Sequence, residues 1–114
     1  MNRRQKLQVL DRLIFIRGKY LRLQFALELD KQDSSAIEKA NRQLAKRIDD
    51  MRRHLHDEWV GSAKELTTDL QNVNTRLQTS IREIERHANI ADNIVKAVGY
   101  VNTVLVLTGK LLGI

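Results

Sequence analysis

The apolar residues of this chain follow a helical period over more than half of its length. From Ile37 to Val98 an apolar side chain recurs about every 3.6 residues, which is the period of a straight α-helix. The chain has 114 residues and contains no proline, the residue that most strongly interrupts helices. The sequence therefore predicts a single all-α domain over residues 1–114.

The N-terminal part of the chain carries two adjacent apolar stripes at helical spacing. One stripe comprises Leu7, Leu10, Ile14, Leu21 and Phe25, and the other comprises Val9, Leu13, Ile16, Tyr20, Leu23 and Leu27. A face of this width is typical of a helix that contacts more than one neighbouring helix. We expect a first helix at about residues 4–30, followed by a polar break.

Two later segments carry the pattern of a helix start. Ser35 with Glu38, and Ser62 with Glu65, match the capping box, in which a hydroxyl and a carboxylate satisfy free backbone amides. Gly61 directly precedes the second pattern and favours a helix end there.

A turn at Gly61 predicts further helices at about residues 35–60 and 63–98. Without that turn, the preserved period would give one helix of roughly 95 Å, whose unpaired half would require an oligomer. The turn is favoured, and the continuous helix stays open. The expected fold is an elongated antiparallel helical hairpin or three-helix bundle with coiled-coil-like packing and an apolar C-terminal helix.

The C-terminal segment 94–114 is the most apolar part of the chain. Its uncharged run, between Lys96 and Lys110, is shorter than the roughly 20 apolar residues that span a membrane. These lysines and Thr103 repeat every seven residues and form a narrow polar stripe on a helix. We expect an amphipathic tail that continues the last helix and packs on partners. The expected seam comprises Val98, Val101, Leu105, Leu107, Leu111 and Leu112.

Positive charge is concentrated near the N-terminus. Residues 1–22 hold seven basic side chains and one acidic one, Asp11, which together equal the net charge of +6 of the whole chain. Such a region suits anionic lipid, nucleic acid or an acidic protein surface. Phe15 and Tyr20 lie among these charges, but their apolar spacing predicts core positions. The expected basic surface comprises Arg3, Arg4, Lys6, Arg12, Arg17, Lys19 and Arg22.

The sequence carries no pattern of catalytic or metal-binding residues. It has no cysteine, no glycine-rich phosphate loop and no Gly-x-Ser-x-Gly elbow. Asp50, His54 and Glu58 share one helical face, an arrangement more typical of charge pairing with arginines than of a metal site. Trp59 is predicted to be a core residue or packing anchor. We therefore predict a non-enzymatic protein without a metal or cofactor.

These patterns together predict a helical interaction or assembly protein: a scaffold, adaptor or oligomer component. Its expected partner is a second copy of the chain or another helical protein. Two alternatives stay open, namely a membrane-associated protein whose tail enters lipid as an anchor or pore, and a basic nucleic-acid-binding protein. No secretory signal is expected, because the N-terminal region lacks an apolar stretch of about 7–15 residues. We expect a cytoplasmic protein, free or held at the membrane peripherally or by its C-terminus.

Overall fold

Four helices pack side by side in the computed structural model, which describes residues 1–27 and 31–113. They are α1 (Arg3–Ala26), α2 (Lys31–Arg53), α3 (Ala63–Glu85) and α4 (Ile90–Leu112). The described residues form an elongated body of 42 × 22 × 19 Å without any strand. The prediction of an all-α helical bundle is confirmed, and the number of helices is corrected from three to four.

The helices form two antiparallel hairpins that lie against each other. Helix α1 packs against α2 and α3, and α4 packs against the same two helices, so α1 and α4 lie diagonally opposite. Hydrogen bonds from Arg12 to Gln71 and from Lys19 to Gln78 join α1 to α3 with a constant sequence offset, so these two helices run parallel. Helices α2 and α4 each run antiparallel to the preceding helix of their hairpin, so they are parallel to each other. A hydrogen bond from Arg47 to the Leu105 carbonyl joins them.

The core is built from one apolar stripe of each helix. In α1 the buried stripe is the second of the two predicted ones, and in α2 and α3 the buried residues follow the predicted rhythm. Burial of these side chains is the main stabilising contribution to the fold. The principal core residues are Val9, Leu13, Ile16, Tyr20, Leu23, Ile37, Leu44, Met51, Leu70, Leu77, Ile81, Ala97, Val101 and Val104.

Helix starts agree with the predicted capping signals in one case and differ in another. At the start of α3 the Ser62 hydroxyl accepts a hydrogen bond from the Glu65 amide over 3.3 Å, as its sequence pattern indicates. Ser35 lies within α2, which has already begun at Lys31, so the predicted start at Ser35 is wrong. The first helix ends at Ala26, and the predicted boundary at residue 30 lies outside the described residues.

Helix α2 ends at Arg53, so the predicted end at residue 60 is wrong. The segment 54–62 turns the chain between α2 and α3, which rules out the continuous helix. Gly61 has a φ of +116°, a backbone conformation that residues with a Cβ atom rarely adopt. The amide of Val60 donates to the Leu111 carbonyl over 3.2 Å and fastens this turn to the end of α4. Trp59 is buried within the turn, which makes it the packing anchor that the sequence predicts.

A second turn, at residues 86–89, corrects the predicted third helix. The sequence predicts one helix over 63–98 that continues into the tail, but α3 ends at Glu85 and α4 begins at Ile90. His87 and Asn89 adopt positive φ angles of 57° and 49° and reverse the chain direction. The apolar tail therefore folds back along α3 and fills the fourth position of the bundle.

Candidate interaction surface

Helix α1 carries a row of exposed apolar side chains, here called the α1 outer stripe. It consists of Leu7, Ile14, Leu21 and Phe25, whose exposed fractions are 42%, 43%, 40% and 78%. The residues are spaced by seven, seven and four positions, so they lie along one side of the helix. Four of the five residues of the first predicted stripe thus lie outside the core, and only Leu10 is buried.

Exposed apolar surface is unevenly distributed over the bundle. Besides the α1 outer stripe, the large exposed apolar residues among those described are Phe15, also on α1, Val60 in a turn, and Val95 and Val106 on α4. Helices α2 and α3 expose none. Exposure of a row of apolar side chains to water is unfavourable, and such rows are typical of contact surfaces. Helix α1 is therefore the strongest candidate for a contact with another molecule.

The two aromatic residues among the N-terminal charges have different environments. Tyr20 is fully buried, and its hydroxyl donates a hydrogen bond to the Ala97 carbonyl of the diagonally opposite helix. Burial raises the pKa of Tyr20, with a smaller contribution from Tyr100. Phe15 is 60% exposed, so its predicted core position is wrong, and the Lys19 ammonium lies 5.1 Å from its ring centroid.

One of the predicted basic surface residues is not on the surface. Lys6 is only 7% exposed, and its ammonium donates to the carbonyls of Leu55, over 2.9 Å, and of Asp57. It also lies 5.6 Å from the centroid of the Trp59 ring. These carbonyls belong to the segment that follows α2, where a cation is favourable. The prediction for Lys6 is therefore corrected from surface charge to internal tether.

The other six basic residues of α1 divide into two groups. Arg12, Lys19 and Arg22 bond to side chains of α3, and Arg22 forms an ion pair with Glu85 at 2.8 Å. Burial lowers the pKa of Lys19, with smaller contributions from Arg22 and a guanidinium of α3. This first group therefore serves partly to join the two hairpins.

Arg3, Arg4 and Arg17 form the second group. Within the part of the chain that the structure describes, none of them makes an ion pair. Arg3 and Arg4 are exposed, and Arg17 is half-buried with its Nε lacking a hydrogen-bond partner. Among the described residues, no carboxylate is paired with these three arginines.

The structure places the six predicted seam residues of α4 against the core of the bundle. Val101 and Leu111 are buried, and the other four, Val98, Leu105, Leu107 and Leu112, are half-buried and pack on the buried cluster. These residues thus contact the other helices of the same chain. What α4 presents outward is mostly its polar stripe together with two valines.

Helix α4 has a second property that bears on function. It is long and apolar enough to cross a membrane by length and composition, although core helices of soluble proteins also have these properties. In the bundle it is held by Arg47, whose guanidinium donates to the Leu105 carbonyl over 2.6 Å and to the Thr108 hydroxyl over 2.8 Å. Gly109 lies beside this guanidinium, where an added Cβ would come within 3.3 Å of it.

Charged residues at the end of α2 and in the turn after it form local pairs. His54 Nδ1 lies 2.6 Å from Asp57 Oδ2, and the Asp50 carboxylate lies 4.0 Å from the Arg53 guanidinium. No group of three or more metal-ligating side chains occurs among the described residues. Because α2 ends at Arg53, His54 and Glu58 lie in the following turn, and the predicted helical face shared by Asp50, His54 and Glu58 is wrong.

The chain was compared with known protein families, curated proteins and solved structures. No protein-family model, no curated protein and no solved structure matches this chain.

Proposed function

We propose that this chain is a non-enzymatic helical interaction protein that binds another macromolecule through the outer face of α1. The observation that carries the proposal is the α1 outer stripe: four apolar side chains in a row on the surface of a bundle whose core is complete without them. Exposed apolar rows of this kind are costly in water unless a partner covers them. A scaffold or adaptor has this need, and the chain would act by bringing its partner into an assembly.

The three arginines that have no ion pair with any described residue support the same surface. Arg3 and Arg4 lie four and three residues before Leu7, and Arg17 lies three residues after Ile14, so each adjoins the α1 outer stripe on the helix surface. An apolar row bordered by charges is the usual composition of an interface, where the apolar part contributes affinity and the rim contributes specificity.

Site-directed photocrosslinking tests this proposal. A photoreactive benzophenone side chain would replace Leu21 on the α1 outer stripe, or exposed Thr75 on α3 as the control, in the cells that normally express the protein. We expect a discrete crosslinked species from the Leu21 position that is missing from the Thr75 position. The same products from both positions, or none from either, would contradict the proposal.

Membrane association is a second candidate function, because α4 has the length and composition of a spanning helix. Insertion would require α4 to leave the bundle and would give a peripheral or C-terminally anchored protein. The chain lacks cysteine, so Val106→Cys can carry a single polarity-sensitive dye, with Thr75→Cys as the control. With phosphatidylserine vesicles, insertion predicts a blue shift of the dye at position 106 alone. An unchanged spectrum at both positions would exclude insertion.

A further inference from the structure

The α1 outer stripe has the spacing of a coiled-coil seam. Together with Asp11 and Gly18, its four residues occupy positions 7, 11, 14, 18, 21 and 25, which alternate in steps of four and three. This alternation places side chains along a line that faces one neighbouring helix in knobs-into-holes packing. The row from Leu7 to Phe25 is roughly 27 Å long, which corresponds to about five helical turns.

The row also has space to accept a partner side chain. A Cβ added to Gly18 would meet nothing within 4 Å, so the surface is open between Ile14 and Leu21. Such an opening is the kind of hole into which a large apolar side chain of a facing helix inserts. The row is narrow and is widened by exposed Phe15 only beside Ile14, whereas a helix that lies in a membrane interface needs a broad apolar face along its length. These features favour a helical partner over a lipid surface.

The charges beside the row determine which helix fits. Arg3, Arg4, Arg17 and Arg22 each lie three or four residues from a member of the α1 outer stripe, and Asp11 is the one acidic residue of this segment. Over residues 1–27 and 31–113, Arg22 is the one of these four arginines that makes an ion pair. A second copy of α1 would bring the same arginines against each other, which like-charge repulsion disfavours. An acidic helix would pair with them.

We propose that the outer face of α1 binds an acidic amphipathic helix of a partner protein, which packs along positions 7 to 25 as one more helix of the bundle. This inference rests on the proposed function and adds the chemistry of the partner. The apolar residues of the partner would lie over the α1 outer stripe, and its glutamates or aspartates would flank them and face Arg3, Arg4 and Arg17.

A pair of synthetic peptides tests the charge requirement. Both are helices of about four heptads with leucine at the seam positions, and one carries glutamate and the other lysine at the flanking positions. Binding of each labelled peptide to the full chain is measured by fluorescence anisotropy. We expect the glutamate peptide to bind at least roughly tenfold more tightly, and its affinity to fall about tenfold between 50 and 500 mM NaCl. Equal affinities, or no binding of either peptide, would overturn the proposal.

Matched variants test the location. Leu21→Ser with Phe25→Ser removes half of the α1 outer stripe, and Val95→Ser with Val106→Ser removes two exposed valines from α4 as the control. We expect the first pair to lower the affinity for the glutamate peptide at least roughly tenfold and the second pair to leave it unchanged. Circular dichroism confirms that each variant is folded. Equal effects of the two pairs would overturn the assignment to α1.

The same variants separate this inference from the proposed function. Vesicle flotation with phosphatidylserine and a concentration series of the solution mass are measured for the full chain and for Leu21→Ser with Phe25→Ser. If these substitutions abolish vesicle binding or self-association while the glutamate peptide does not bind, the face is an interaction surface for another occupant and the acidic-helix inference is wrong. If the two substitutions change neither vesicle binding, nor self-association, nor peptide binding, the proposed function is wrong as well.

Discussion

Replacement of Lys6 by methionine tests whether this lysine is an internal tether of the bundle rather than a surface charge. The Lys6 ammonium lies inside one end of the bundle, bonded to the carbonyls of Leu55 and Asp57 and close to the Trp59 ring. Methionine keeps much of the apolar stem but removes all three interactions. If Lys6 were a surface charge, its replacement would have almost no effect on stability.

The expected cost follows from the contacts that are lost. Hydrogen bonds from a charged donor contribute about 1.5–3 kcal/mol each, and a cation over an aromatic ring contributes about 0.5–2 kcal/mol. Burial of the ammonium offsets part of this gain. We therefore expect Lys6→Met to lower the free energy of unfolding by about 3 kcal/mol. With a urea m-value of about 2 kcal/mol/M, the midpoint would move down by about 1.5 M.

Urea unfolding followed by two signals measures this effect. Far-ultraviolet circular dichroism reports on all four helices, and the fluorescence of Trp59, the only tryptophan of the chain, reports on the Lys6 site itself. Exposed Lys39→Met on α2 is the matched control and should shift the midpoint by no more than about 0.3 M. A Lys6→Met midpoint as close to that of the unmodified chain as the control would refute the internal tether.

Three further substitutions test other contacts of the bundle. Tyr20→Phe removes the hydrogen bond to the Ala97 carbonyl and should cost about 1 kcal/mol at pH 7 in urea unfolding. Burial raises the pKa of Tyr20 above its usual 10.0, so the stability that the hydroxyl contributes is complete below pH 10 and is lost as the pH rises further. The difference in unfolding free energy between the unmodified chain and Tyr20→Phe should therefore narrow above pH 10. A difference that stays constant would contradict the contribution of the buried hydroxyl. Gly61→Ala should cost about 1–2 kcal/mol, because alanine is strained at a φ of +116°, and an unchanged midpoint would contradict the observed turn. Arg47→Met should cost about 2–4 kcal/mol in the same assay, because it releases α4 from two hydrogen bonds, and a neutral effect would show that they do not hold α4 in place.

The apolar period of the sequence predicts the helices well but the turns poorly. Gly61 and Ser62 mark the turn before α3, because one permits a positive φ and the other caps the following helix. The end of α2 at Arg53 cannot be recognised in the sequence, because Leu55 and Trp59 keep the helical spacing. In the structure both residues lie in the turn after α2 and pack against the core. A residue buried in a loop and a residue buried on a helix have the same signature in the sequence.

The turn at residues 86–89 shows the same limit more strongly. It contains neither glycine nor proline, and it depends on His87 and Asn89 in the left-handed region. Asparagine tolerates this conformation better than most residues, so Asn89 is the one signal that sequence reading could have used. The apolar rhythm passes through this turn because residues on both sides of it face the same core.

The division of α1 into a core side and an outer side also needs tertiary structure. Both predicted stripes contain large apolar residues, although Asp11 and Gly18 interrupt the outer one. The position of α2 and α3 determines that Leu13 is buried while Ile14 is exposed. Lys6 lies three and four residues before Val9 and Leu10, so its place on the core side is readable from spacing, but its charge favours a surface assignment. A polar residue at a core position becomes understandable only when its carbonyl partners are known.

The most direct test of the α1 interaction surface compares two substitutions that lie two residues apart on α1. Leu23 is fully buried and Phe25 is 78% exposed, although both are large apolar residues of the same helix. We expect Leu23→Ser to lower the free energy of unfolding by about 3–5 kcal/mol, and Phe25→Ser to change it by less than about 0.5 kcal/mol while weakening binding of the glutamate peptide. If Phe25→Ser destabilises the chain as much as Leu23→Ser, the α1 outer stripe belongs to a core and the proposed interaction surface does not exist.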